Sequence, residues 1–152
     1  MEKIEKKLKE IPESQQRYLD AIHLISKKPG KKAGWVSNTE IADFLSVKPS
    51  SVTNMLHHLK ESDLLSWTPR KGIRLTPKGK KVALRLQKIH RLLQEFFSEI
   101  LKIENEEVVE QLACDIEHHI FNQSEEVYNN LKNLMENSSK LLSCMDSLDK
   151  SE

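Results

Sequence analysis

The sequence predicts a mainly α-helical protein with one small β-hairpin, divided into an N-terminal part, residues 1–80, and a helical C-terminal part, residues 81–152. Three observations support this prediction. Charged residues make up 31% of the chain, beside only four glycines and five prolines, which is typical of a helix-rich protein. Apolar residues recur at intervals of three and four over long stretches. A single short segment has the residues of two strands around a turn.

The net charge of +1 conceals a strong asymmetry along the chain. Residues 31–81 contain ten Lys/Arg against four Asp/Glu, a local charge of +6, whereas residues 103–152 contain three against twelve, a local charge of −9. The first segment could face a polyanion and the second could not. Solvated faces that happen to segregate would give the same counts, so charge alone leaves both interpretations open.

The basic segment contains the pattern of two short helices joined by a tight turn. Asn38 or Thr39 can cap the first helix, whose apolar side is formed by Ile41, Ala42, Phe44 and Leu45. Pro49 suits the first turn of the second helix. That helix has its apolar residues, Val52, Met55, Leu56 and Leu59, at helical spacing. This layout is a helix-turn-helix, and short polar side chains near its second helix allow close approach to the major groove. The candidate DNA-contacting residues are Lys48, Ser50, Ser51, Thr53, Asn54 and His57.

The next stretch, LLSWTPRKGIRLTPKGKK, predicts a strand, a turn at 69–72, a second strand, and a helix that starts at Thr76 and Pro77. The hairpin carries three basic residues, Arg70, Lys71 and Arg74. A basic hairpin directly after a helix-turn-helix is a wing that can contact DNA phosphates. A hairpin that only packs against the helices is the alternative. Together these features predict a winged helix-turn-helix DNA-binding domain over residues 1–80.

The second half predicts a helical dimerisation domain over residues 81–152. One long helix from Pro77 to about Leu101 and a second from Glu106 to Phe121 have continuous apolar faces, and 127–135 gives a shorter pattern. The predicted buried face of the second helix is formed by Val109, Leu112, Ile116 and Ile120. DNA readers of this type pair to engage two half-sites, so we expect a homodimer on a palindromic operator. A monomer in which these helices cover the long one is the alternative, and residues 137–152 are either a last helix or a frayed end.

The stretch CDIEHHI, residues 114–120, places a thiol, carboxylates and imidazoles on one helix. Cys114, Glu117 and His118 stand at i, i+3 and i+4 and therefore share one patch, opposite the predicted buried face. These are ligands for divalent transition metals, and His90 of the long helix is available to join them. A solvated polar face is the alternative. The chain has no phosphate-cradling loop and no nucleophile turn, so we expect no enzyme and no small-molecule substrate.

Other features point to an intracellular location. The apolar runs are short and the N-terminus is charged, so we expect neither a membrane span nor a signal peptide. Cys114 and Cys144 do not suggest a disulfide framework, which favours reduced thiols in the cytoplasm.

From about Ser14 to Val127 the chain resembles the iron- and manganese-dependent repressors typified by the diphtheria toxin repressor and the manganese transport regulator. The stretches SVKPSSVTNM, LTPKGKK and IEHH support the likeness most strongly. The resemblance implies a regulator of metal-ion homeostasis, a repressor, whose operator binding is controlled by Fe²⁺ or Mn²⁺, with Zn²⁺ or Co²⁺ as substitutes in vitro. Carried over position by position, it implies metal ligands at Asp20, His90, Cys114, Glu117 and His118.

One position departs from the family pattern. Arg17 stands where the family has a methionine or aspartate ligand in the first helix, and arginine stays protonated and cannot coordinate a metal. Three interpretations remain open: Asp20 and water complete the site, Glu13 substitutes, or metal control is lost and Arg17 pairs with Glu117 as a built-in cation. The last would make the protein a metal-independent winged-helix regulator. Gln94 and Glu110, at the positions of a second site, argue against two full metal sites.

Overall fold

The structure is a computed structural model that describes residues 11–31, 33–123 and 125–149, with side chains as far as residue 140. The side chain of Cys144 and the first ten residues of the predicted N-terminal domain lie outside this description. Contacts divide the chain into two compact units, Met1–Gln87 and Lys88–Glu152. Within the described residues, no helix combines the length and apolarity that crossing a bilayer demands.

Among the described residues of the first unit, three helices precede the hairpin: α1 (Glu13–Ser26), α2 (Asn38–Leu45) and α3 (Pro49–Glu61). A capping box starts α2: the Ser37 hydroxyl accepts from the Glu40 amide, and the Glu40 carboxylate accepts from the Ser37 amide. The cap is therefore one residue earlier than predicted, because the capping box needs a glutamate three positions after the cap. The predicted start of α3 at Pro49 is confirmed, with Lys48 as its N-cap.

The core of the first unit is built from the predicted helical faces. Ile41 and Leu56 are fully buried, and burial of such a side chain contributes about 1.5–3 kcal/mol. The prediction for Phe44 is wrong, because its side chain is 44% exposed and its ring lies 5.5 Å from the ammonium of Lys28. Phe44 lies near the end of α2, where the helix turns into the Ser46 left-handed cap. The other residues buried in this core include Leu19, Ile22, Ile25, Val52, Leu59, Leu64 and Ile73.

The predicted wing is present as β1 (Leu65–Thr68) and β2 (Gly72–Leu75), an antiparallel pair in which Trp67 is opposite Ile73. Val36 adds a third edge that the sequence did not predict, since its N–H and C=O both bond Ile73 at 2.8 Å. Gly72 has a φ of +108°, and a Cβ there would lie 2.6 Å from the Val36 oxygen. Glycine is therefore required where the wing folds back against this edge.

The long helix α4 (Pro77–Glu95) begins at the predicted residue. It does not continue as an α-helix to Leu101, because Phe96–Ile100 form one π-helical turn that ends with the Leu101 amide donating to the Phe96 oxygen at 3.1 Å. A single wide turn leaves the apolar spacing nearly unchanged, so the sequence pattern could not reveal it.

The remaining helices are α5 (Glu106–Asn122) and α6 (Glu125–Asp149). The Asn105 side chain caps α5 by accepting from the amides of residues 107 and 108. The prediction for the buried face of α5 is partly wrong: Leu112 and Ile116 are half-buried, while Glu117 and His118 are buried. Hydrogen bonding of these two polar side chains allows their burial, which apolar periodicity cannot anticipate. The short apolar pattern predicted at 127–135 is part of the long helix α6, which also includes residues 137–149.

Candidate metal centre and DNA-reading surface

The imidazole of His90, on α4, is held between two carboxylates of α5. Its Nδ1 lies 2.7 Å from Oε2 of Glu117, and its Nε2 lies 3.1 Å from Oε2 of Glu110. His90 and Glu117 are almost buried, with side chains 14% and 6% exposed, whereas Glu110 is 54% exposed. Two helices of the second unit therefore converge on one imidazole.

This arrangement favours the protonated form of His90. The hydrogen bond with Glu117 raises the pKa of His90 above its ordinary value of 6.5, and this outweighs the opposing effect of burial. The charge of Glu110 acts in the same direction. Both ring N–H groups of the imidazolium can then donate, one to each carboxylate. The two carboxylates thus favour a proton on His90 when no other cation is present.

Glu110 has two further neighbours. The amide of Gln94 donates to Oε2 of Glu110 at 2.6 Å, and the thiol of Cys114, one turn along α5, donates to its other oxygen at 3.6 Å. Gln94 thereby fixes the orientation of the carboxylate toward His90.

These side chains fit a divalent metal ion by chemistry and by distance. Ligand atoms of His90, Glu110 and Cys114 all lie within 4.8 Å of one another. Zinc, for example, binds such nitrogen, oxygen and sulfur ligands at about 2.0–2.3 Å, so two ligand atoms on one ion are at most about 4.6 Å apart. Small side-chain rotations would bring the three atoms within that limit. Imidazole, carboxylate and thiolate together suit Fe²⁺, Zn²⁺ or Co²⁺.

The predicted ligands are therefore placed unequally. His90 and Cys114 share this cluster, and Glu117 joins it through His90. The Nε2 of His118 is 3.5 Å from Oε1 of Glu117. Asp20, on α1 in the first unit, accepts a hydrogen bond from Gln87 at 2.6 Å.

Two residues of the first helix form an ion pair of their own. Arg17 and Glu13 are 3.2 Å apart at i, i+4, with side chains 57% and 46% exposed. The guanidinium predicted as a built-in cation and the carboxylate predicted as a substitute ligand are thus paired with each other. Such an exposed pair contributes little stability and is easily exchanged for water.

Glu110 is the member of the cluster that the sequence prediction did not include as a ligand. It precedes Cys114 by four residues, so helical spacing alone places both on one face. The sequence prediction places Glu110 only at the position of a second site. Spacing alone does not single out Glu110, because Glu117 also lies within one helical turn of Cys114 on α5.

The second helix of the helix-turn-helix, α3, presents most of its predicted DNA-contacting side chains to solvent. Thr53 is the exception: its hydroxyl accepts from the Asn38 amide at 2.9 Å and donates to the Pro49 oxygen at 3.1 Å. Thr53 therefore links the starts of α2 and α3. The exposed predicted residues on and before α3 are Lys48, Ser50, Ser51, Asn54 and His57.

The wing carries its predicted basic residues on the surface. Arg70 and Lys71 form the turn, where Arg70 has a φ of +64°, and Arg74 is exposed on β2 with its guanidinium 6.0 Å from the ring of Trp35. The imidazole of His57 packs against Trp67 of the wing, with ring centroids 5.4 Å apart. This contact ties the wing to the outer side of α3.

Comparison with protein families matches both parts of the chain. Residues 10–73 match the family described as "Iron dependent repressor, N-terminal DNA binding domain". Residues 76–141 match the family described as "Iron dependent repressor, metal binding and dimerisation domain". The two matches together cover most of the sequence.

Curated relatives agree with these matches. The transcriptional regulator MntR of Bacillus pumilus is 34% identical over 107 residues, which is 70% of this chain and 70% of the relative. MntR of Geobacillus thermodenitrificans is 36% identical over 107 residues, 70% of this chain and 72% of the relative. An uncharacterised HTH-type transcriptional regulator of Methanocaldococcus jannaschii is 33% identical over 124 residues, 82% of this chain and 94% of the relative.

Solved structures share the fold. The manganese regulator SloR has a TM-score of 0.66 at 27% identity, covering 80% of this chain and 53% of that one. IdeR of T. acidophilum has a TM-score of 0.65 at 28% identity, covering 83% and 55%. This chain spans about half the length of these two solved chains.

Proposed function

Because this chain belongs to the iron-dependent repressor family of metal-dependent transcriptional regulators, we propose that it represses genes of metal-ion homeostasis by binding a palindromic operator as a metal-loaded homodimer. The observation that carries this proposal is the convergence of His90, Glu110 and Cys114 within 4.8 Å, in a chain that also presents an exposed recognition helix and a basic wing. Residues 1–80 read the DNA, and residues 81–152 bind the metal and dimerise.

We assign metal binding to His90, Glu110, Cys114 and Glu117. A bound divalent ion supplies one centre of positive charge that side chains of separate helices can share. His90 and Cys114 would hold the ion in their deprotonated forms, while Gln94 keeps the Glu110 carboxylate turned toward His90. His118 is a further proposed ligand, and Asp20 is proposed as a ligand on the family resemblance alone. Fe²⁺ or Mn²⁺ is the physiological ion, and Zn²⁺ or Co²⁺ replaces it in vitro.

DNA reading is assigned to the exposed polar face of α3 and to the wing. Ser50, Ser51 and Asn54 can approach base edges and phosphates of the major groove, because their side chains are short and open to solvent. Lys48 and His57 are at the margins of this face. Arg70, Lys71 and Arg74 contact phosphates. Thr53 acts by fixing the angle between α2 and α3, in addition to its predicted contact with DNA.

Dimerisation is assigned to the second unit. Its family match is described as a dimerisation domain, and α5 and α6 expose several large apolar side chains. Exposed apolar side chains of this size are typical of surfaces that a partner covers. They are Val108, Val127 and Leu134, which are 42–43% exposed. We propose a cytoplasmic location for this activity.

The metal-independent alternative has weaker support. It requires Arg17 to act as a fixed cation in place of the ion, and the Arg17 guanidinium is instead paired with Glu13 on the same helix. The Arg17 side chain is also 57% exposed, so it lacks the buried surroundings that would hold a charge in one place.

The test is a selection from random DNA duplexes with the purified full-length chain, carried out with Mn²⁺ or Fe²⁺ and repeated with a strong chelator. We expect enrichment of a palindrome only with metal, and no enrichment with the His118→Ala variant under either condition. An equal enrichment in chelator would reject metal control and leave the metal-independent regulator. No enrichment under any condition would reject DNA reading itself.

A further inference from the structure

A basic cavity of about 230 Å³ lies in the first unit, at the base of the wing. It is separate from the exposed face of α3 and from the residues assigned to metal binding. The loop between α1 and α2, the strand β2 and the first turn of α4 surround it. The lining residues are Ser26, Lys27, Ala33, Gly34, Arg74, Leu75 and Lys80.

The lining carries three cations and no carboxylate. Among the residues that the structure describes, no ion pair neutralises Lys27, Arg74 or Lys80. Two other lysines of the same loop do have partners: Lys31 forms an ion pair with Glu40, and Lys28 lies over the ring of Phe44. The three side chains are exposed to solvent around one small cavity, so an anion bound there would be attracted by all three charges.

A buried histidine beside the cavity gives an independent sign of this uncompensated charge. His23 is only 7% exposed, and its Nδ1 has no hydrogen-bond partner in the described part of the chain. Burial is the largest cause that lowers the pKa of His23, and the positive charges of Lys27 and Lys80 lower it further. Both ammonium groups therefore act on the same point beside the cavity.

The third cation has a defined orientation. The Arg74 guanidinium lies 6.0 Å from the ring centroid of Trp35, the residue that follows Gly34. Arg74 is also opposite Ser66 in the hairpin register, and its backbone oxygen accepts from the Ser66 hydroxyl at 3.4 Å. A guanidinium placed in this way offers a planar set of donors that suits phosphate oxygens.

We propose that this cavity binds a phosphate group through Lys27, Arg74 and Lys80. The source is either a backbone phosphate of bound DNA beside the wing or a free phosphate anion. The DNA source rests on the proposed function, and the free source does not. In the DNA case, the loop between α1 and α2 adds a phosphate contact outside the recognition helix and the wing turn.

The first arm of the test measures DNA affinity as a function of salt with the metal concentration held constant. The variant is Lys27→Gln/Lys80→Gln, and the matched control is Lys81→Gln, which removes one charge from the neighbouring residue outside the cavity lining. Loss of one phosphate contact lowers the slope of log K against log salt by about 0.9. A homodimer contains two such cavities and the double variant would lose both contacts, so the wild type should lose about 12-fold more affinity than the double variant over a fourfold rise in salt.

The second arm titrates inorganic phosphate into the chain without DNA. Binding is followed by calorimetry and by the proton resonance of the His23 ring, with chloride at equal ionic strength as the reference. Saturable binding should occur in the wild type and in Lys81→Gln, and it should disappear in the double variant. The charge-retaining variant Lys27→Arg/Lys80→Arg should keep it, which separates loss of charge from loss of fold.

The outcomes separate the two sources. A reduced slope without free-phosphate binding assigns the cavity to the DNA backbone, and saturable binding of free phosphate assigns it to an anion in solution. If the double variant matches Lys81→Gln in the first arm and no saturable binding occurs in the second, the proposal is wrong. If the wild type binds no DNA, the proposed function is wrong, and the second arm still tests whether the cavity binds free phosphate.

Discussion

The substitution Glu110→Gln should weaken metal binding while leaving the fold intact. Glu110 accepts hydrogen bonds from His90 at 3.1 Å and Gln94 at 2.6 Å, and its other oxygen lies 3.6 Å from the Cys114 thiol. Glutamine keeps the size and one oxygen acceptor but removes the negative charge. Because the Glu110 side chain is 54% exposed, its loss should have little effect on folding stability.

The size of the effect follows from the place of Glu110 in the cluster. Loss of a carboxylate that orients a metal-binding imidazole typically lowers metal affinity about 10–100-fold, which is about 1.4–2.8 kcal/mol. Loss of a direct ligand should cost at least as much. The matched control is Asp115→Asn on the same helix, whose exposed carboxylate accepts from Gln111 at 2.9 Å and is not in the cluster.

The assay is competition for Mn²⁺ or Zn²⁺ against a chromophoric chelator, together with the absorption spectrum of the Co²⁺ form. In the wild type the Co²⁺ spectrum should include a thiolate charge-transfer band from Cys114, which should shift in the Glu110→Gln variant. The prediction for Glu110 is wrong if Glu110→Gln binds metal as tightly as the wild type and as Asp115→Asn. In that case the ion would be held without this carboxylate.

Three further predictions concern protonation and local structure. In the metal-free protein, the raised pKa of His90 contributes stability that is complete below about pH 6.5 and is lost as the pH rises through the raised pKa. The free energy of unfolding in urea should therefore fall between about pH 6 and 9, and His90→Asn should make this fall smaller. Ser37→Ala removes the cap that accepts from the Glu40 amide and should lower the free energy of unfolding by about 1 kcal/mol in the same measurement. Gly72→Ala places a Cβ 2.6 Å from the Val36 oxygen, so it should lower the melting temperature and broaden the amide resonances of the wing.

Much of the fold follows from local sequence signals. Pro49 and Pro77 begin helices at the predicted positions, and the glycine at 72 lies where the wing turns back. These features depend on fixed φ values or on short-range hydrogen bonds, which single residues encode. Because two helices and a hairpin follow one another in this order, few folds other than a winged helix-turn-helix remained for the first domain.

Features that depend on packing between distant residues were missed. Val36 joins the wing by bonding Ile73, thirty-seven residues away, and nothing in the local sequence marks it as a strand edge. Thr53 was predicted only as a DNA contact because its hydrogen bond to Asn38 crosses between two helices. Apolar periodicity likewise could not place Phe44 at the surface.

The candidate metal centre was predicted in part. Spacing brought Cys114, Glu117 and His118 to one patch with His90 of the long helix as an available contributor, and the resemblance added Asp20. What spacing could not supply was the relative position of α4 and α5, which selects Glu110 among the carboxylates of α5. The clustering of donor atoms is therefore a property of the packed helices rather than of any one motif.

The most direct test of the account measures how metal and DNA binding are coupled. Fluorescence anisotropy of the selected operator duplex gives the Kd of the wild type with saturating Mn²⁺ or Fe²⁺ and again after chelation. We expect chelation to weaken binding about a hundredfold or more, a coupling of about 2.7 kcal/mol, and metal to have no effect on the His118→Ala variant. An unchanged Kd after chelation, with the wild type still bound to the same duplex, would contradict the claim that a metal ion controls DNA binding.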